Sequence, residues 1–157
     1  MTQEPFQRVL ERHADEVLRF LVANLGRHDA DDAFQETFIS ALRAYPKLRR
    51  DSDVRAWLFT IAHRKAIDIH RGRARRPVPV EAIAEQPART ETDAFRPDEG
   101  EWAKVRELPD RQRAVLTLRY AVDLSHAEIA AVLECTEAAA RRAASDGLAT
   151  LRTTVTA

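Results

Sequence analysis

The sequence predicts an all-α fold, with two small helical domains joined by a flexible linker. Three observations carry this expectation. Apolar residues recur at spacings of three and four through both ends of the chain, which is the period of an amphipathic helix. Only four glycines occur and strand-like Val/Ile/Thr alternation is sparse. Four of the seven prolines (Pro77, Pro79, Pro87 and Pro97) fall between residues 77 and 100, among frequent acidic groups and few large aliphatics. That composition cannot bury a core and reads as an extended linker. The expected domains are therefore an N-terminal helical bundle over 1–76 and a C-terminal helix-turn-helix domain over 101–157, with the linker over 77–100.

The first helix is read from Phe6, Val9, Leu10, His13, Val17, Phe20 and Leu21, ending near Gly26. Asp29, Asp31 and Asp32 then stand where the positive end of a helix dipole favours anions. The second helix runs through Phe34, Phe38, Ile39, Leu42 and Tyr45, and Pro46 stops it. After a short loop, Ser52 or Asp53 can cap the third helix. Its stripe is Val54, Trp57, Leu58, Ile61, Ala62 and Ile69, and it ends in Arg71-Gly72-Arg73-Ala74-Arg75-Arg76. Helical pattern resumes at Glu101-Trp102 and breaks at Leu108-Pro109-Asp110. Further helices follow over Arg111–Tyr120, from Ser125 to Leu133, and from Thr136 to about Thr153.

The formal net charge is zero, with 25 basic and 25 acidic residues, yet the charges are segregated. Residues 1–40 carry −4, 41–76 carry +8, 77–110 carry −5 and 111–157 carry +1. A neutral average therefore does not exclude nucleic acid, because a basic stripe is what binds phosphate. The single cysteine, Cys135, excludes an intramolecular disulfide and Cys-rich zinc frameworks. It reads as a small buried apolar residue rather than a redox-sensitive thiol. His63 and His70 lack a third ligand nearby, so neither a metal nor a cofactor is expected. No apolar run is long enough to span a bilayer. Met1-Thr2-Gln3-Glu4-Pro5 lacks the basic-then-apolar order of a signal peptide, so a soluble, cytoplasmic protein without membrane insertion is expected.

Two constellations point to nucleic acid. Ser125, with Glu128 three residues later, forms a capping box before Ile129, Ala130 and Leu133. After a short turn, Ala140, Ala144, Leu148 and Leu151 are spaced to pack back on that helix. The other face carries Thr136, Glu137, Arg141, Arg142 and Ser145, a set that suits a major groove and equally an ordinary solvated face. The second constellation is seven cations in 22 residues: Arg55, Arg64, Lys65, Arg71, Arg73, Arg75 and Arg76. Trp57, Phe59, His63 and His70 lie among them. Cations attract phosphate and exposed rings can stack on unpaired bases. Trp57 sits at a core position, while Phe59 lies off the stripe and is the better candidate for exposure.

A third string, Asp32-Ala33-Phe34-Gln35-Glu36-Thr37-Phe38, is mute by itself. Set in order with Val54-Arg55-Ala56-Trp57-Leu58-Phe59-Thr60-Ile61-Ala62 and Ala66-Ile67-Asp68, it gains meaning. Leu108-Pro109-Asp110-Arg111-Gln112-Arg113-Ala114-Val115-Leu116 and Leu124-Ser125-His126-Ala127-Glu128-Ile129-Ala130 complete the series. Together these strings resemble the extracytoplasmic-function class of bacterial RNA polymerase sigma factors in the sigma-70 family, over nearly the whole chain outside the linker.

The resemblance implies a role for each piece. Asp32, Gln35, Glu36 and Ile39 would dock on the clamp coiled coil of the polymerase's largest subunit. Leu48, Arg49, Arg50 and Ser52 would capture a flipped base of the minus-ten element. Arg55, Phe59, His63, Arg64, Arg71, Arg73, Arg75 and Arg76 would guide the melted strand. Arg113, Ser125, Thr136, Glu137, Arg141, Arg142 and Ser145 would contact the minus-thirty-five element. Core RNA polymerase (clamp and flap) and promoter DNA are the implied partners, an anti-sigma factor is a further one common in the family, and no enzymatic activity is implied.

The chain departs from the pattern in three places. Glu134-Cys135 replaces the usual Gly and Ile or Val of the turn. Ala143, Asp146 and Leu148 replace basic residues of the last helix, and Arg64 replaces a common asparagine. Two other readings share the scaffold: a helix-turn-helix regulator that works without polymerase, and a protein-interaction module without promoter melting. The string Phe34–Phe38 discriminates the first, because a simple repressor has no need of it.

Overall fold

The computed structural model describes residues 3–75 and 99–156, and the side chains of 3–73 and 102–153 within them. Among the described residues there are seven α-helices and one 3-10 turn: α1 (Phe6–Leu25), α2 (Arg27–Ala44), the turn Tyr45–Lys47, α3 (Val54–Arg75), α4 (Glu99–Arg106), α5 (Asp110–Tyr120), α6 (His126–Leu133) and α7 (Glu137–Thr156). No strand occurs among the described residues, as the all-α expectation requires. The expected linker, 77–100, lies outside the described residues except for its last two, which already belong to α4.

α1, α2 and α3 pack on one another as the first unit. A single residue, Gly26, joins α1 to α2 at φ +89°, a conformation that only glycine adopts without strain. Its amide donates to Val22 O at 2.8 Å, which closes α1. The centre of this unit is Phe20, Leu21, Leu25, Leu58 and Phe59, each at most 1% exposed. Phe20 and Phe59 meet edge to face at 5.8 Å and 86°. At the far end, Phe6 meets the rings of Phe38 and Tyr45, and Tyr45 Oη donates to Glu4 O. Asp53, not Ser52, caps α3, accepting from the Ala56 amide at 3.1 Å.

α4 to α7 form the second unit, built chiefly on α5–α7 and α6–α7 packing. The expected capping box is formed in both directions. The Ser125 amide donates to Glu128 Oε1 at 2.8 Å, and the Glu128 amide donates to Ser125 Oγ at 3.1 Å. Thr136 caps α7 through the Ala139 amide at 3.0 Å. Gly147 lets α7 lie against α5, since a Cβ there would stand 2.9 Å from Leu116 Cδ1.

The two units also pack on each other. α6 lies along α3, while α4 and α5 lie against α1. Val132 is 1% exposed although it lies outside the inward set Ile129, Ala130, Leu133, because its face of α6 meets α3.

Candidate nucleic-acid interface

The candidate residues fall on three surfaces. On α2, Asp32, Gln35, Glu36 and Ile39 all face solvent. Ile39 is 49% exposed and Leu42 is 55% exposed, so this helix presents an apolar strip edged by polar groups. The sequence places Leu42 on the second helix without assigning it to a face. The signal that places it outside is the spacing 35, 39, 42, which lies on one helix face with Gln35.

The loop and α3 form the second surface. Arg49 and Arg50 are exposed, with Arg49 Nε 3.8 Å from Asp51. Ser52 closes a turn through its amide to Arg49 O at 3.1 Å, and Leu48 is half-buried against the core. Arg71 and Arg73 are exposed, and Arg73 pairs with Asp29. The side chain of Arg75, and Arg76 altogether, lie outside the described residues.

The remaining members of the α3 set are engaged. Arg55 Nη2 donates to Glu16 Oε1 at 2.8 Å, and Arg55 Nη1 donates to Glu128 Oε2 at 3.2 Å. Its guanidinium also lies 6.0 Å from the centre of the Phe59 ring. Burial alone would raise the Glu16 carboxyl, but hydrogen bonds from Arg55 and His13 outweigh it and hold the group below the usual carboxylate range. Arg64 Nη2 reaches Glu134 Oε1 at 3.4 Å. His63 is half-buried with Nδ1 unpartnered, and burial, reinforced by Arg113, Arg64 and Arg111, pushes its pKa down to about 4.

Two expectations are corrected here. Phe59 is not exposed; it is 0% accessible, because the face of α3 beside its main stripe is covered by Phe20 and by the second unit. Arg113 is 5% exposed and faces inward, where Nη1 donates to Leu108 O at 3.0 Å and Nη2 pairs with Asp110. A guanidinium so engaged holds the entry of α5 and cannot reach a base edge.

The third surface is the outer face of α7. Thr136, Glu137, Arg141, Arg142 and Ser145 are exposed, and Arg141 Nη2 pairs with Glu137 Oε1 at 2.6 Å along the helix. The Thr136 and Ser125 side chains serve as helix caps. In the turn before α7, Glu134 adopts φ 57° and ψ 47°. A non-glycine residue is strained there by about 1 kcal/mol. Glu134→Gly is therefore expected to raise stability by about 1 kcal/mol in urea unfolding, since the exposed contact to Arg64 is worth little. A lower midpoint would show that the contact outweighs the strain.

Sequence reasoning missed Asn24, Arg106, Thr117 and Glu134, which join the units, and Glu16, which holds Arg55 within the first unit. His70 Nε2 lies 3.0 Å from both Asn24 O and Asn24 Oδ1, and Asn24 Nδ2 donates to Thr117 Oγ1 at 3.2 Å. Arg106 Nε and Nη2 donate to Ala23 O and Val22 O at 3.2 and 3.1 Å, at the carbonyl end of α1.

Comparison with known proteins follows the same division. Residues 9–76 match the family model for sigma-70 region 2, and residues 102–151 match that for sigma-70, region 4. The chain is similar to the RNA polymerase sigma-H factor of Pseudomonas aeruginosa, at 33% identity over 86% of each chain. It is similar to the ECF RNA polymerase sigma factor ShbA of Streptomyces griseus, at 32% identity over 80% of this chain and 71% of that one. Among solved structures, it resembles the sigma factor RpoE in complex with the anti-sigma factor NepR from Bartonella quintana, with a TM-score of 0.74, 19% identity and 96% coverage of both chains. It also resembles CnrH in complex with the cytosolic domain of CnrY, with a TM-score of 0.71, 24% identity and coverage of 96% of this chain and 86% of that one.

Proposed function

The chain belongs to the extracytoplasmic-function class of sigma-70 family RNA polymerase sigma factors, transcription initiation factors that bind core polymerase and direct it to promoters, and we propose that it divides this task among three of its surfaces. The α2 face, with Asp32, Gln35, Glu36, Ile39 and Leu42, docks on the clamp coiled coil of the largest polymerase subunit. The loop Leu48–Ser52 and the basic flank of α3 capture and guide the melted minus-ten strand. The outer face of α7, chiefly Arg141 and Arg142, contacts the minus-thirty-five element. Residues 1–76 and 101–157 are the corresponding functional domains, and an anti-sigma factor is a further partner. No described helix is long and apolar enough to cross a membrane, which accords with a cytoplasmic site of action.

The observation that carries the docking assignment is the exposure of Ile39 and Leu42, two large apolar side chains that sit side by side with Gln35 on α2. A regulator acting without polymerase has no use for such a strip. The chain is expected to co-purify with core polymerase, and the pair Gln35→Ala with Glu36→Lys should abolish this while circular dichroism stays unchanged. Retained binding would move the docking surface elsewhere. Run-off transcription from a genomic fragment library with reconstituted holoenzyme tests the whole reading. Core binding without initiation from any fragment would favour an interaction role.

The second domain carries only +1 over residues 111–157. Few phosphate contacts mean weak binding with a shallow salt dependence. Arg141→Ala with Arg142→Ala is expected to weaken promoter binding roughly 10-fold or more, with core binding intact, since a good base contact is worth about 1–3 kcal/mol. Unchanged promoter affinity would show that α7 does not read DNA.

A further inference from the structure

The outer face of α7 carries as many acids as bases. Ala140, Ala143 and Ala144 are buried and mark its inner side. On the outer side Glu137, Arg141, Arg142 and Asp146 are exposed, and their charges cancel. A face that only held phosphates would have no use for carboxylates, because each one repels the duplex whatever its sequence. A carboxylate in a major groove is favourable in one setting, where it accepts a hydrogen bond from the 4-amino group of a cytosine. Adenine also offers an amine there, but its N7 acceptor lies beside it and repels the anion.

Glu137 is placed for that use. It is the first residue of α7, and the N-terminal residues of a recognition helix are the ones that reach base edges. Thr136 already caps the helix through the Ala139 amide, so the Glu137 side chain is not spent on the cap. Glu137 Oε1 accepts from Arg141 Nη2 at 2.6 Å, which leaves Oε2 without a partner among the described residues. Arg141 in turn keeps Nε and Nη1 without one. The two side chains are 46% and 62% exposed, so an acceptor and a fork of donors stand side by side in solvent. One helical turn rises about 5.4 Å, against about 3.4 Å for a base step. Groups four residues apart therefore meet base pairs one or two steps apart. Asp146 does not share this arrangement: it lies about two and a half turns further on, on the opposite flank of α7.

We propose that Glu137 is a specificity-determining residue of the minus-thirty-five contact. Its carboxylate accepts from a cytosine amine, while Arg141, held against it, gives its remaining donors to O6 and N7 of a guanine one or two base pairs away. The pair adds little affinity for phosphate, since the two charges cancel. It adds discrimination instead, because a wrong base leaves the carboxylate facing an acceptor or no donor at all. This inference rests on the reading of α7 as the face that contacts the minus-thirty-five element.

The test uses holoenzyme reconstituted from core polymerase and the full chain. It is offered duplexes that carry a minus-ten element recovered by run-off transcription and randomised base pairs over the minus-thirty-five element, and the bound pool is sequenced. The unmodified chain should enrich cytosine over adenine about 10-fold at one position, with a guanine preference one or two base pairs away. Glu137→Gln should turn the first preference from cytosine to adenine, because an amide pairs with adenine N6 and N7, and should leave the guanine preference in place. Arg141→Ala should erase the guanine preference. A base pattern unchanged in Glu137→Gln overturns the proposal, whatever happens to the urea midpoint, and leaves Glu137 as a charge that only stabilises the helix end. A different result sinks the underlying reading: no preference at any randomised position for the unmodified chain, and no loss of affinity in Arg141→Ala with Arg142→Ala.

Discussion

Phe59→Ala is expected to lower the unfolding free energy by about 3–5 kcal/mol, the usual cost of removing a buried aromatic ring. The ring is fully buried and stands edge to face against Phe20 at 5.8 Å and 86°. It is also the side chain at which the two units meet, beside Leu124 and Val132. Its loss would open a cavity inside the first unit and remove the apolar part of the seam together. Urea unfolding followed by circular dichroism measures the effect. A loss under about 1 kcal/mol would mean that the site collapses around the missing ring or that the ring is not packed as described. Phe59→Leu separates volume from ring geometry. It keeps most of the apolar bulk and should lose about 1 kcal/mol of edge-to-face attraction plus a small packing deficit.

The misreading of Phe59 shows what a periodic pattern can and cannot reveal. The stripe Val54, Trp57, Leu58, Ile61 and Ala62 is legible because α3 packs against α1 and α2 along one line. α3 also packs against α6, and a second buried face looks in sequence like a stray aromatic between cations. Local signals were readable for a physical reason: they act within a few residues. Gly26 ends α1, Pro46 ends α2 at a 3-10 turn, and Ser125 with Glu128 caps α6. Arg113 was missed for a different reason: its partners Leu108 O and Asp110 are local, but an arginine by type suggests solvent or phosphate. The candidate surfaces on α2 and α7 were legible as helix faces. The Glu16–Arg55–Glu128 and His70–Asn24–Thr117 links were not, because each joins elements far apart in the chain through residues that look like ordinary surface polar groups.

Lowering the pH from 7 to 5 is expected to destabilise the folded form by about 2 kcal/mol through His63 alone. Burial is the main cause of its low pKa of about 4, against an ordinary value of 6.5. Arg113 and Arg111 on α5 and Arg64 on α3 push the same way, while Asp110 opposes them. The folded state therefore keeps His63 neutral where an opened or unfolded chain would let it charge. The stabilisation is complete above about pH 6.5, declines as pH falls and is exhausted below about 4, at about 1.4 kcal/mol per pH unit within that window. His70 adds to the trend, since burial also lowers its pKa, with its Nε2 set against Asn24 O and Oδ1. Glu16 contributes little in this range, because the stability a depressed carboxyl supplies is kept above the ordinary carboxylate range and lost as the pH falls below it. Urea midpoints at pH 5 and pH 7 should therefore differ clearly for the unmodified chain and much less for His63→Gln, which removes the titration and keeps a polar side chain. An unchanged pH slope in His63→Gln would place the acid sensitivity elsewhere. A flattened slope would tie the titration to His63, where α3 packs beside Arg113 and Arg111 of α5.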